Sequence, residues 1–236
     1  MSAISRILRN RLIFGLIWFA GLTGIAQSIS AGVPVSSLKI TVRVFNFAQV
    51  STETWNVAQK VATGIFSRTA IDVVWLDCSL TAAGNYTLPN CERPWELTEL
   101  ILRIVPVSAA TRAQFGDGTL GIAAHSEKGT PASASIFYDR VKESAKGRGA
   151  SIEVILGHAV AHEIGHLLLG SNSHSSRGLM RASWNRQELQ QAVAGELLFT
   201  QGEVARIREG LVKPAQHAES ISADNLATAP STHPRP

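Results

Sequence analysis

The chain holds only two cysteines, two tyrosines and two methionines among 236 residues, and charged side chains make up 17% of it. Cys78 and Cys91 each lack a neighbouring cysteine or histidine, so a cysteine-based metal site is not expected. The tyrosines are Tyr86 and Tyr138, and the only methionine beyond the initiator is Met180. No basic stripe with interleaved aromatics is present, which argues against nucleic acid as a partner. The basic balance is itself local. Arg6, Arg9 and Arg11 stand in a stretch without acidic residues, and removing residues 1–31 lowers the formal net charge from +4 to +1.

Those arginines precede an apolar run over residues 12–25 and then small residues through Ala31. Basic, apolar and small segments in that order predict a secretory signal peptide over 1–31 and an address that is secreted or periplasmic. The apolar run falls short of the ~20 residues that a membrane span needs. A retained N-terminal anchor is the alternative, and no membrane contact is expected once the signal is removed. In an oxidising compartment Cys78 and Cys91 are expected to form a disulfide, stabilising the fold by about 3 kcal/mol through closure of the intervening loop. Asn85 begins a glycosylation sequon, which matters only in a eukaryotic source.

About 200 residues then remain, enough for one domain with a sizeable core. Its catalytic part is expected over 32–211, with a disordered tail, rich in Ala, Ser, Pro and His, over 212–236. Alternation over residues 38–47 predicts a first strand, with Ile40, Val42 and Val44 on one face. A helix follows, capped by Thr52 or Thr54 and carrying Trp55, Ala58, Val61, Ala62, Ile65 and Phe66 at helical spacing. Further strands are expected at 71–76, 100–107, 120–125 and 135–138, with a helical turn over 109–115 and a polar loop over 126–134. Asn185 with Glu188, and Thr200 with Glu203, read as capping boxes that open helices to about Leu198 and Leu211.

The segment over 152–169, IEVILGHAVAHEIGHLLL, is apolar nearly all round and predicts a core helix. Within it His162 and His166 are four apart, which brings them to one face about 6 Å apart along the axis. Two histidines and a glutamate are costly to bury unless something satisfies them, and a metal ion does so. Zinc in a hydrolytic site takes three protein ligands and keeps a position open for water. Between Leu167 and Gln187 there is no Asp, Glu or Cys, and the one histidine is His174. Gly170 ends the helix by taking the left-handed conformation and turns the chain back, which brings His174 toward the ion. Glu163 is then the proton acceptor for water, and the implied reaction is metal-assisted hydrolysis of a peptide bond. His158 lies about 12 Å from the far end of such a set and reads as a supporting or core residue.

From His162 the chain runs HEIGHLLLGSNSH and then SSRGLM. This run resembles the metzincin branch of zinc metallopeptidases, whose motif is HExxHxxGxxH followed by a methionine-containing turn. It departs from that motif by one additional residue on each side of Gly170, and the second addition compensates the ~100° swing introduced by the first. Met180 is similar to the methionine of the turn beneath the metal. The chain lacks the tyrosine that some metzincins place after that turn. Oxyanion stabilisation would then fall to zinc, with Arg177 or Arg181 as candidates to assist.

The resemblance is sharp over 158–181 and topological elsewhere. It implies an α+β, zincin-like fold: a twisted mixed sheet of about five strands over an active-site helix, with C-terminal helices below the cleft. It also implies a Zn2+ cofactor and a peptide or protein substrate, extended along an edge strand at 120–125. His125, at the end of that strand, is given no catalytic role. Two other readings stay open. A thermolysin-like peptidase would use Glu188 or Glu196 as third ligand, and a non-catalytic exported protein would hold zinc for structure alone.

Overall fold

The first strand, β1 (Leu38–Asn46), buries the predicted face through Ile40, Val42 and Val44. The computed structural model describes residues 38–212, apart from 81–88, 95, 97–98, 109–110, 112–113, 117, 126–131, 147–148 and 171–172. The expected signal peptide, the sequon at Asn85, Tyr86, most of the 126–134 loop and the tail beyond residue 212 lie outside the described residues. So does much of the 109–115 turn.

Helix α1 (Thr52–Ser67) is capped by Ser51, not by Thr52 or Thr54. Ser51 holds the extended backbone that an N-cap needs, and its hydroxyl accepts from the Thr54 N–H at 3.2 Å. Ala58, Ala62, Ile65 and Phe66 of the expected stripe are buried. Strand β2 (Ile71–Asp77) follows. Strand β3 (Glu99–Val105) ends one residue before Pro106, which was expected inside it. Proline has no N–H to offer the ladder, and the pairing with β5 stops at Val105.

Strands β4 (Gly121–Ala124) and β5 (Ser133–Phe137) complete one mixed sheet in the order β2-β1-β3-β5-β4. Neighbours are parallel except β4, which runs antiparallel to β5 and forms one edge. The expected edge strand at 120–125 is therefore an edge in the folded chain, and the mixed α+β sheet of five strands is present.

One helix was not anticipated. Tyr138, expected to end a strand, instead opens α2 (Tyr138–Ala145), which has no side-chain cap. Tertiary contacts hold it: Arg140, almost fully buried, donates to the carbonyls of Thr119 and Phe115 at 2.9 and 2.8 Å.

Helix α3 (Ile152–Leu169) is capped by Ser151, packs along α1 and lies against β3, β4 and β5. At its crossing with α1 a Cβ on Gly157 would fall 2.5 Å from the Ala58 carbonyl oxygen, so glycine sets how closely the helices approach. Gly170 ends α3 with φ +91° and ψ 173°. The positive φ was expected, but ψ is extended and not left-handed helical.

Helix α4 (Arg186–Val193) begins with the anticipated box: the Asn185 side chain accepts from the N–H of Gln187, and Glu188 accepts from the N–H of Asn185. It stops short of Leu198 because Gly195, at φ +71°, breaks it. Leu197 and Phe199 then bury their side chains in the irregular segment that follows. Helix α5 occupies residues 201–212.

The cysteines form the expected disulfide, Cys78–Cys91. The chain at and just beyond Cys91 is held by Arg43, a β1 residue on the face opposite Val42 and fully buried. Arg43 pairs with Glu99 at 2.7 Å and donates to the carbonyls of Cys91, Arg93 and Pro94. A buried arginine is tolerated where its fork is occupied in this way.

Candidate metal centre

His162, Glu163 and His166 project from α3 toward the edge strand, and His174 reaches the same point from the loop beyond Gly170. The Nε2 atoms of His162 and His166 lie 3.1 Å apart, as do those of His166 and His174. One ligand atom from each of the three falls within 4.8 Å of the others.

The outer ring nitrogens explain the convergence. His162 Nδ1 donates to the Leu179 carbonyl at 2.7 Å. A carbonyl can only accept, so in the neutral ring the proton sits on Nδ1 and Nε2 presents a bare lone pair. His166 Nδ1 pairs with the hydroxyl of buried Ser173 at 2.7 Å. Burial pushes His162 and His166 down to about 4, the neighbouring histidines adding to the effect, so both are neutral at pH 7. Neutral nitrogens aimed at one another repel unless a cation stands between them. A tetrahedral zinc ion holds imidazole nitrogens roughly 3.3 Å apart. The three histidines therefore fit such an ion in donor type and spacing, and His162 and His166 also in protonation.

Glu163 is 6% exposed, and burial pushes its carboxyl up to about 8. It faces Gly121 of β4. A cleft of about 560 Å³ opens over these groups, with residues 120–123 of the edge strand on one wall and 181–184 on the other. His125 stands exposed on its rim.

Met180 is fully buried beneath α3. A Cβ on Gly165 would fall 2.6 Å from Met180 Sδ and 2.8 Å from Phe199 Cε1, so the glycine of HEIGH admits both side chains under the helix. His158 is buried with Nδ1 bonded to the Val154 carbonyl, and its ring meets Trp184 edge-on.

Three outcomes depart from the expectations. Glu188 is not gathered with the histidines: its carboxylate caps α4 and pairs with Arg181. Glu196 is exposed just past the end of α4. A downstream glutamate as third ligand is therefore not supported. Arg181 lines the cleft but is engaged by Glu188, while Arg177 is exposed and does not line it.

Ser173, the Leu179 carbonyl and Trp184 also belong to the site and were not anticipated from the sequence. Trp184 walls the cleft, donates Nε1–H to the same Leu179 carbonyl at 3.3 Å and packs edge-on against His162. A backbone carbonyl leaves no mark in sequence. Trp184 alone offered a signal, as a tryptophan close after Met180.

No protein-family model matches the chain, and no curated protein is significantly similar to it. Among solved structures, a zinc-dependent peptidase from Methanocorpusculum labreanum is 15% identical with a TM-score of 0.46, the match covering 70% of this chain and 99% of that one. Archaemetzincin from Methanopyrus kandleri is 14% identical, with a TM-score of 0.44 and coverage of 76% and 98%. Metalloproteinase-II from Bacteroides fragilis is 11% identical, with a TM-score of 0.42 and coverage of 74% of this chain and 54% of its own.

Proposed function

We propose that the chain is an exported zinc-dependent endopeptidase of metzincin type, with His162, His166 and His174 as metal ligands and Glu163 as general base. The observation that carries this reading is the convergence of three imidazole Nε2 atoms beside a buried glutamate on the floor of an open cleft. When bound, zinc supplies Lewis-acid chemistry, polarising the scissile carbonyl and acidifying water.

The chain's own residues do the rest. Leu179 and Ser173 keep two imidazoles oriented, with the Leu179 carbonyl holding the Nδ1 proton of His162. Glu163 accepts a proton from water as its oxygen bonds to the carbonyl carbon. It returns that proton to the amine nitrogen as the C–N bond breaks. Edge strand β4 pairs with an extended substrate through main-chain hydrogen bonds, orienting the peptide across the histidines. Met180 plays the part of the methionine turn, forming an apolar base under the site. Residues 1–31 direct export, 32–211 form the catalytic domain, and the disulfide suits an oxidising compartment.

Zinc content and peptide hydrolysis, measured on the purified protein and on Glu163→Gln, test this reading. One zinc per chain in both, with hydrolysis lost only in the variant, is the expected result. A protein that binds zinc yet cleaves nothing in a broad peptide library would be a binding protein instead.

A further inference from the structure

Beneath the candidate site, two segments distant in sequence are laid side by side. The Leu179 N–H donates to the Leu198 carbonyl at 2.9 Å. Gly178, at φ +76°, lies so close that a Cβ there would fall 2.8 Å from the same carbonyl oxygen. Phe199, next along, packs under Gly165 between Glu163 and His166. The carbonyl of Leu179 then accepts from His162 Nδ1. Each face of one residue's backbone is used, one toward the metal ligand and one toward residues 198–200.

What fixes residues 198–200 is the start of α5. The Thr200 N–H donates to Glu203 Oε2 at 2.6 Å, and the Glu203 N–H donates to Thr200 Oγ1 at 3.4 Å. Glu203 is 4% exposed, and its other oxygen, Oε1, has no hydrogen-bond partner among the described residues. A carboxylate is costly to bury for a single cap bond, and a surface helix needs no such residue. Its burial follows from where the cap is: under the active helix, in line with Leu198 and Leu179.

We infer that Glu203 is a positioning residue for the metal ligand His162, acting through Thr200, the Leu198 carbonyl and Leu179. The relay has four links. Glu203 sets Thr200, residues 198–200 set the height of Leu179 through its N–H, the carbonyl of the same residue, on the next peptide, holds the Nδ1 proton of His162, and the ring plane follows. The C-terminal helix, which contributes no residue to the cleft, is by this route part of the metal site. The inference rests on the three-histidine reading, but its test reads metal geometry directly.

The experiment measures zinc affinity by chelator competition and the visible absorption of the Co2+-substituted protein, for the wild type, Glu203→Ala and Glu203→Gln. Glu203→Ala is expected to bind zinc about tenfold to a hundredfold more weakly, the range seen when a ligand's outer partner is lost, with an altered Co2+ spectrum. Glu203→Gln, whose amide oxygen still accepts from Thr200, is expected to restore both. Gly178→Ala, which strikes the same pairing without touching Glu203, should reproduce the Glu203→Ala spectrum and serves if that variant does not fold. Wild-type affinity and spectrum in folded Glu203→Ala would overturn the inference. Failure of Glu203→Gln to restore them would overturn it too, since charge and not the cap bond would then be responsible. A wild-type protein that bound neither ion would instead refute the three-histidine site itself.

Discussion

Gly121 on the edge strand and Glu163 on the active helix share a space that a single methyl group would fill: a Cβ on Gly121 falls 2.7 Å from Glu163 Cγ and 2.9 Å from Cδ. The strand can therefore lie directly over the carboxylate, and under the proposed function a peptide paired with β4 is brought to Glu163. Gly121→Ala is expected to destabilise the fold by about 1–3 kcal/mol through overpacking. It should also lower hydrolysis by about a hundredfold, as small misplacements of reacting groups do, while zinc content stays at the wild-type level. Undiminished turnover in this variant would mean that Glu163 need not lie where it does.

The third ligand is tested by comparing two side chains that the sequence offered for the same role. His174→Ala should weaken zinc binding by more than about a hundredfold, beyond the loss of an outer partner. Glu188→Ala removes a cap and the Arg181 ion pair, so it should lower stability by about 1 kcal/mol or more and leave zinc stoichiometry unchanged. Loss of zinc on Glu188→Ala with retention on His174→Ala would reverse the assignment.

Stability of the metal-free protein should depend on pH in two opposing ways. His162 and His166 are held near 4, below the ordinary 6.5, so the unfolded chain binds more protons between those values and stability rises with pH across that window. Buried His158, also lowered, acts in the same sense. Glu163 is raised from 4.5 to about 8, so the folded chain binds the additional proton and stability falls between those values. Up to pH 6.5 the effects oppose; above it only the Glu163 contribution remains, and stability in chelator should decline toward pH 8. Zinc favours the carboxylate and should abolish that decline. Denaturant titrations at several pH values, with zinc and with chelator, measure both limbs; a flat metal-free profile above pH 6.5 would contradict the buried glutamate.

Reduction of Cys78–Cys91 opens a loop of sequence separation 13 and should lower stability by about 3 kcal/mol. Neither cysteine lines the cleft, so zinc content of the folded fraction should persist. Arg43 independently holds the carbonyls of Cys91, Arg93 and Pro94, so the Cys91 end stays anchored when the disulfide is reduced. Arg43→Met combined with reduction should therefore cost more than the two changes added separately, as shared partners do.

Much of this was legible in the chain. The helix over 152–169 appeared with its stated bounds because an apolar run of helical length, a serine before it and a glycine after it all agree. The boxes at Asn185 and Thr200 were legible for a similar reason: a cap and its acceptor are three residues apart, so the physics is local. The cap of α1 was misplaced, to Thr52 or Thr54, because Ser51, Thr52 and Thr54 share the chemistry, and backbone geometry selects among them. Helix α2 was missed because it has no side-chain cap to mark its start, and its fixing contacts reach back to Phe115 and Thr119.

The metal-binding residue types and their spacing on α3 are properties of the sequence, since residues four apart on any α-helix share a face. Long-range packing settled the rest: that β4 is an edge and lies over Glu163, that the burial there raises its carboxyl, and that His174 rather than Glu188 arrives beside His166. The same holds for the Leu179 carbonyl, whose position depends on a hydrogen bond to Leu198 and which alone fixes the tautomer of His162. Such contacts join residues far apart in the chain, and their free energy is gained only when the whole core closes, so no local pattern records them.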